Sequence, residues 1–371
     1  MDASHSTRKR PRQTDSEDDT TSECRDEGTY VEHPSLYYDD GNVILSSENT
    51  LFRAHRSILC KASPVLRDML EQKAHEDRKP DVLRGCLHIA LDVETQVAET
   101  LMRIVYNDLR LDTLTFVTSQ LSLVTSIFRA AGKFRIERTL VEVYARIKYK
   151  WPSDLEKHDR RIALEERMNL RGPIGVTLLG EDGTVVNTVR PTAPSTRRVA
   201  FIHPVHILAL VRSAGCRDPE ILTPLLYAWT CAPTNLAGYD RVLHALPQMD
   251  LVRYIRGLEY LRCFHAQCMA VSPTANNLAL PGDHEYQCWP GIRVFWADLG
   301  GAWMDTNVVF AAAREPIEAW GLIIDRLTIH PMHCTRYNIC SGCSDKLITM
   351  MKTIRQGLWS NLTLWFAVSL F

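Results

Sequence analysis

The sequence predicts an α+β protein: a small sheet covered by helices, followed by a mostly α-helical C-terminal region. Three observations carry this. Short β-type runs cluster between residues 43 and 91 and are bounded by turn residues. From residue 56 onwards apolar residues recur at helical spacing, and past residue 150 helical patterns predominate. The chain has 371 residues and is 45% hydrophobic, which suits about two domains with real cores.

Residues 1–33 hold few large apolar side chains and many charges, so they read as a disordered tail. Val43 to Leu45 and Thr50 to Ala54 are β-type runs around the polar "SSEN", which reads as a hairpin. "HRSILCKA" is a helix of about two turns. Ser63 can accept a bond from a free N–H at the next helix start, and Pro64 suits the first helical position. Val65, Leu66, Met69 and Leu70 give that helix one apolar face, and "LHIAL" puts Leu87, Ile89 and Leu91 on one face of a strand. Three helical stripes follow: Val97 to Val105, Val117 to Phe128 and Leu140 to Ile147, with Gly132 breaking the chain between the last two. The order is β-β-α-α-β-α-α-α over residues 34–150.

Residues 151–371 form the helical C-terminal region. Ser153 is a candidate cap for the first helix, and residues 171–202 are a loop-rich insertion or a short hairpin. Asp218-Pro219 starts a helix carrying Leu222, Leu225, Leu226 and Trp229. Leu251, Tyr254, Ile255, Leu258 and Leu261 mark another, and Leu347, Met351, Ile354 and Leu358 the last long one. No repeat appears at solenoid periods.

Charge and composition exclude some functions. Lys+Arg is 43 and Asp+Glu 44, a net charge of −1, without the basic excess of a nucleic-acid binder. No apolar run reaches the ~18 residues of a spanning helix, and the N-terminus has no apolar signal segment. The 11 cysteines follow no framework pattern, so a reducing cytoplasmic or nuclear location with mostly free thiols is expected. "RKRPR", Arg8 to Arg12, reads as part of a solvated tail in preference to a nuclear-import signal.

"DGNVILSSENTLFRAHRSILCKASPVLRDML" resembles the front half of a BTB/POZ domain. The shared features are the strand that holds Asn42, the apolar-x-Ala-His-Arg step ending in His55 and Arg56, the turn of helix with Leu59, and Ser63-Pro64 before an apolar helix. "IHPVHILALVRSAGCRDPEILTPLLYAWTC" and "ICSGCSDKLITMMKTIRQGLW" resemble the helical region after the BTB domain in single-BTB families of mushroom-forming fungi. The resemblance implies protein partners, and homo- or hetero-oligomers through the BTB domain. It also implies two alternatives, a substrate adaptor of a cullin-type ubiquitin ligase and a nuclear transcriptional co-regulator. BTB dimers often join an aspartate of the first strand to the arginine after the motif histidine. Here Asn42 stands at the aspartate position, with Asp40 two residues earlier, which implies weaker association. Cullin-binding BTB domains tend to carry a hydrophobic-x-acidic step after the Ser-Pro helix. Ala74-His75-Glu76 is a poor match to it.

No catalytic set emerges. His55 lacks a nearby array of Ser, Cys or carboxylates and reads as structural. There is no phosphate loop, nucleophile elbow or dinucleotide fingerprint. "HEDRK" at His75 and "HEYQC" at His284 lack the second histidine of a zinc-protease helix. The chain therefore reads as non-catalytic, with no cofactor. "HPMHCTRYNICSGC" offers His330, His333, Cys334, Cys340 and Cys343. A tight Cys340-x2-Cys343 turn suits structural zinc, with Cys334 and a neighbouring histidine, or the distant His265 and Cys268, as the second pair. Buried or free thiols are the favoured reading over zinc and over a redox pair, because Cys334-x5-Cys340 is irregular and no second CxxC exists.

Overall fold

A computed structural model describes residues 30–75, 81–168, 178–179, 185–186, 201–232, 242–244, 246–280, 282–304, 315–329 and 332–368. The tail expected to be disordered, including "RKRPR", lies outside the described residues except at its end. Strand β1 (Val31–Tyr37) begins three residues before the expected boundary at 34. Its polar sequence and Pro34 hide it from pattern reading. It sits at an edge of the sheet, where a proline costs no ladder bond on the solvent side.

The sheet has five strands, completed by β2 (Val43–Ser47), β3 (Thr50–Ala54), β4 (Val82–Leu83) and β5 (Cys86–Ala90), in the spatial order β1-β3-β2-β5-β4. β2 and β3 form the expected hairpin, with Val43 opposite Ala54 and Ser47 opposite Thr50. Its two-residue turn needs a left-handed backbone, which Glu48 supplies at φ 50°. The Glu48 carboxylate then accepts bonds from the Thr95 N–H at 3.2 Å and hydroxyl at 2.7 Å, tying the turn to the start of a helix. β2 is buried along its whole length. Val43 and Leu45 face the main core; Ile44 faces a smaller cluster with Leu51, Cys86, Tyr30 and Tyr37. Because both faces are covered, β5 does not alternate in burial as the Leu87, Ile89, Leu91 pattern implied. His88, between them, is also buried, with Nε2 2.8 Å from the Ser46 hydroxyl.

Helices α1 (Arg56–Ala62), α2 (Pro64–His75), α3 (Thr95–Val105), α4 (Leu121–Lys133) and α5 (Glu137–Lys150) cover this sheet. Gly132 does not break the chain; it lies within α4. The break comes at Phe134 and Arg135, where Arg135 takes the left-handed conformation at φ 51°.

The C-terminal region is helical, as expected. It comprises α6 (Leu155–Arg167), α7 (Pro204–Ser213), α8 (Pro219–Cys231), α9 (Gln248–Ala270), α10 (Gly282–Gln287), α11 (Trp289–Met304), α12 (Pro316–Ile329), α13 (Met332–Thr335) and α14 (Ser341–Trp365). Two short strands, β6 (Leu178–Leu179) and β7 (Val185–Val186), pair as a hairpin within the insertion. Asp154, not Ser153, caps α6 by accepting the Lys157 N–H at 2.9 Å; the Ser153 carbonyl instead receives the Trp359 indole N–H at 2.8 Å. Asp218 caps α8 through the Glu220 N–H at 2.9 Å, with Pro219 first in the helix. Ile255, read as part of an apolar stripe, is 65% exposed, because α9 turns that edge to solvent.

One apolar cluster runs from Leu36 of the sheet to Val368 beyond the last helix. The two regions meet where the Ile202 N–H donates to the Phe116 carbonyl at 2.7 Å and where Lys148 reaches Asp218 at 2.8 Å and Glu220 at 2.7 Å. Several buried charged groups in the helical region pair with one another. Asp250 takes Arg212 at 2.7 Å and Arg253 at 2.6 Å, and Glu318 takes His158 at 3.0 Å and the Tyr227 hydroxyl. No described helix is long and apolar enough to cross a membrane.

Candidate functional site

Two places gather the residues that carry chemistry or recognition. The first is the step from β3 into α1. His55 ends the strand in an extended conformation and precedes the first helical residue. Its backbone N–H donates to the Tyr106 hydroxyl at 3.0 Å, and its Nδ1 lies 2.8 Å from the same oxygen. A hydroxyl that accepts the N–H donates its own proton to Nδ1, so the imidazole proton sits on Nε2. Nε2 lies 3.1 Å from the Asp40 carboxylate. That hydrogen bond holds the Asp40 carboxyl below its usual range. Tyr38 stacks on Tyr106 with centroids 4.5 Å apart and closes the group. His55 is thus held between a tyrosine and an aspartate on the fold's surface.

Asn42 Oδ1 accepts the Arg56 backbone N–H at 2.8 Å. This satisfies one of the donors left open at the start of α1, which His55 does not cap. The contact is to the main chain of Arg56, whose side chain is exposed. Asp40 faces His55, not Arg56. Leu59 is fully buried in the main core. Ser63 is also buried: its hydroxyl donates to the Phe134 carbonyl at 2.6 Å and accepts the Leu66 N–H at 3.1 Å, capping the helix that Pro64 opens. The outer side of α1, with Arg56, Ser57 and Lys61 exposed, borders an open groove of about 760 Å³ lined also by Ile58, Ile104, Asn107 and Glu142. The side chains of Ala74 and His75, and Glu76 entirely, lie outside the described residues.

The second place is in the C-terminal region. Cys340 precedes α14 and Cys343 lies in its first turn. Cys334, grouped with them on sequence, stands apart: its sulfur lies 2.9 Å from the Ser344 hydroxyl. His330 and the side chain of His333 lie outside the described residues. His265 is buried against the Trp320 ring, where burial pushes it down to about 4 and keeps it neutral; it does not reach the thiols. The residues that meet Cys340 and Cys343 are His284 and Cys288, 56 residues or so earlier in the chain. His284 Nδ1 lies 3.3 Å from the Cys340 sulfur, 3.5 Å from Cys343 and 3.5 Å from Cys288. The Cys340 thiol is drawn down to about 7 by the backbone N–H of Cys343, whereas burial raises Cys343 to about 12. None of the three cysteines forms a disulfide.

Sequence reasoning dismissed His284 because "HEYQC" lacks a second histidine. The spacing was informative all the same. Positions four apart share one face of a helix, and here Cys288 occupies the second place. Gly291 then lets the start of α11 lie against the loop before α14: a Cβ there would stand 1.7 Å from the Tyr337 carbonyl oxygen.

Among known proteins, residues 38–148 match the family model of the BTB/POZ domain. No curated protein and no solved structure matches the chain. The BTB/POZ domain is a protein-interaction domain and not a catalytic one.

Proposed function

We propose that the chain is a non-catalytic binding scaffold that self-associates, or pairs with another BTB chain, through residues 38–148. The match of this segment to the BTB/POZ domain carries the reading. Two features support it. The β3–α1 step is built for rigidity, with His55, Tyr106, Asn42 and Ser63 all committed to hydrogen bonds of the fold. The outer side of α1 and the adjoining groove offer mixed apolar and charged surface. The Asn42 side chain is an uncharged amide and so offers the Arg56 guanidinium no charge pairing, which makes the association weaker than an aspartate would give. Light scattering of the full chain across a concentration series should show a monomer passing into a dimer, with Asn42→Asp shifting the midpoint to lower concentration. A strict monomer at every concentration would remove self-association. Affinity purification of the tagged full chain supplies the partner class: BTB chains support the scaffold, and a cullin among the main partners would replace it with the ligase-adaptor reading.

A further inference from the structure

We propose that His284, Cys288, Cys340 and Cys343 bind one zinc ion, which clasps the α10–α11 segment to the start of α14. The four ligand atoms all lie within 4.8 Å of one another. Zinc–sulfur bonds of about 2.3 Å and a zinc–nitrogen bond of about 2.0–2.1 Å, at tetrahedral angles, separate sulfur from nitrogen by about 3.5 Å. The three sulfur–nitrogen distances here are 3.3, 3.5 and 3.5 Å.

Hydrogen bonding does not account for this arrangement. Nδ1 of an imidazole carries either one proton or one lone pair and so can pair with one sulfur, not three. Ordinary core packing does not account for it either. Cys288 and Cys343, 3% and 1% exposed, belong to the main apolar cluster, yet their sulfurs converge with that of Cys340 on one polar imidazole nitrogen, which apolar contacts cannot satisfy. A cation at the centre satisfies all four groups at once. Three thiolates and a neutral histidine are a familiar donor set for zinc, and four protein ligands leave no position for water or substrate, which makes the site structural. The site draws on two segments distant in sequence, and each supplies a pair: His284-x3-Cys288 from α10 and the turn that follows it, Cys340-x2-Cys343 from the start of α14. Gly291 adds a second, independent approach between the same two segments, since only a residue without Cβ fits against the Tyr337 carbonyl.

The test uses the full chain, purified without chelators from zinc-supplemented cells and analysed for metal. The expected result is about one zinc per chain, a melting temperature that falls when a strong chelator removes it, and recovery on adding zinc alone. Cys343→Ser and His284→Ala should lose the metal, while Cys334→Ser and Cys216→Ser keep it. Should the ligand variants fail to fold, cobalt exchange into the wild-type chain decides. Thiolate-to-cobalt charge-transfer absorption with tetrahedral d–d bands supports the site; a folded chain that takes up cobalt without them overturns it. A folded, metal-free wild type, or zinc retained by Cys343→Ser, would also overturn it, as would a Cys340–Cys343 disulfide in protein purified under reducing conditions.

Discussion

Tyr106 shows how one hydroxyl can hold a whole junction. It accepts the His55 N–H and lies against Nδ1 of the same residue, so Tyr106→Phe leaves two groups without their partner. The expected loss is roughly 1–3 kcal/mol, read from urea unfolding of the full chain. Asp40 is linked to the same histidine, and its effect depends on pH. Its carboxyl is held lower in the folded chain than its unfolded value of 3.8. The contribution to stability is therefore fully present above that value and fades as pH falls through the folded one. Melting temperatures measured from pH 5 downwards should fall less steeply in Asp40→Asn than in the wild type. The carboxylate is solvent-exposed, so the difference should also shrink in high salt. On sequence His55 reads as structural, for want of an array of Ser, Cys or carboxylates around it. Its partners were out of reach, because Tyr106 lies 51 residues away and only the folded chain brings it there.

At the scale of elements, the strands and helices with strong periodicity were legible and the weak ones were not. The β2–β3 hairpin, α1 to α5 and α14 follow apolar spacing that burial enforces. β1 and β4 escaped notice because edge strands need little apolar pattern: β1 buries Leu36 alone among its seven residues. Gly132 misled in the opposite direction. Nothing stands within 4 Å of the Cβ it lacks, so its helix tolerates it, and the left-handed turn falls on Arg135 instead. The cysteine cluster escaped for a third reason. Spacing within a segment can propose a ligand pair, but which two pairs meet is decided by how α10, α11 and α14 pack. Glycines test that packing. Gly291→Ala puts a methyl group 1.7 Å from the Tyr337 carbonyl oxygen and should cost roughly 1–3 kcal/mol, seen as a lower melting temperature. Gly342→Ala, in the first turn of α14 with open space around it, should be neutral or stabilise by up to about 1 kcal/mol.

At the scale of the molecule, the BTB/POZ segment and the helical region share one apolar core, although the sequence suggested a boundary near residue 150. Polar spacing around that residue marked the end of α5, not the end of the packing. α4 and α5 carry their apolar stripes, while α7 and α8 lie against them. We propose that residues 30–150 still fold alone, since they hold the whole sheet and its covering helices. Differential scanning calorimetry should show a cooperative transition for this segment, at a lower temperature than in the full chain. A gradual melt would argue against an autonomous unit. The far end of the chain is bound into the same core. Phe366 is fully buried, and its ring sits where a Cβ on Gly257 would be, 1.9 Å from the nearest ring carbon. A stop codon at position 366 removes the plug from the middle of α9. Genetic variants that end before Phe366 should therefore behave as severe loss-of-stability alleles, and their messages should yield little accumulated protein.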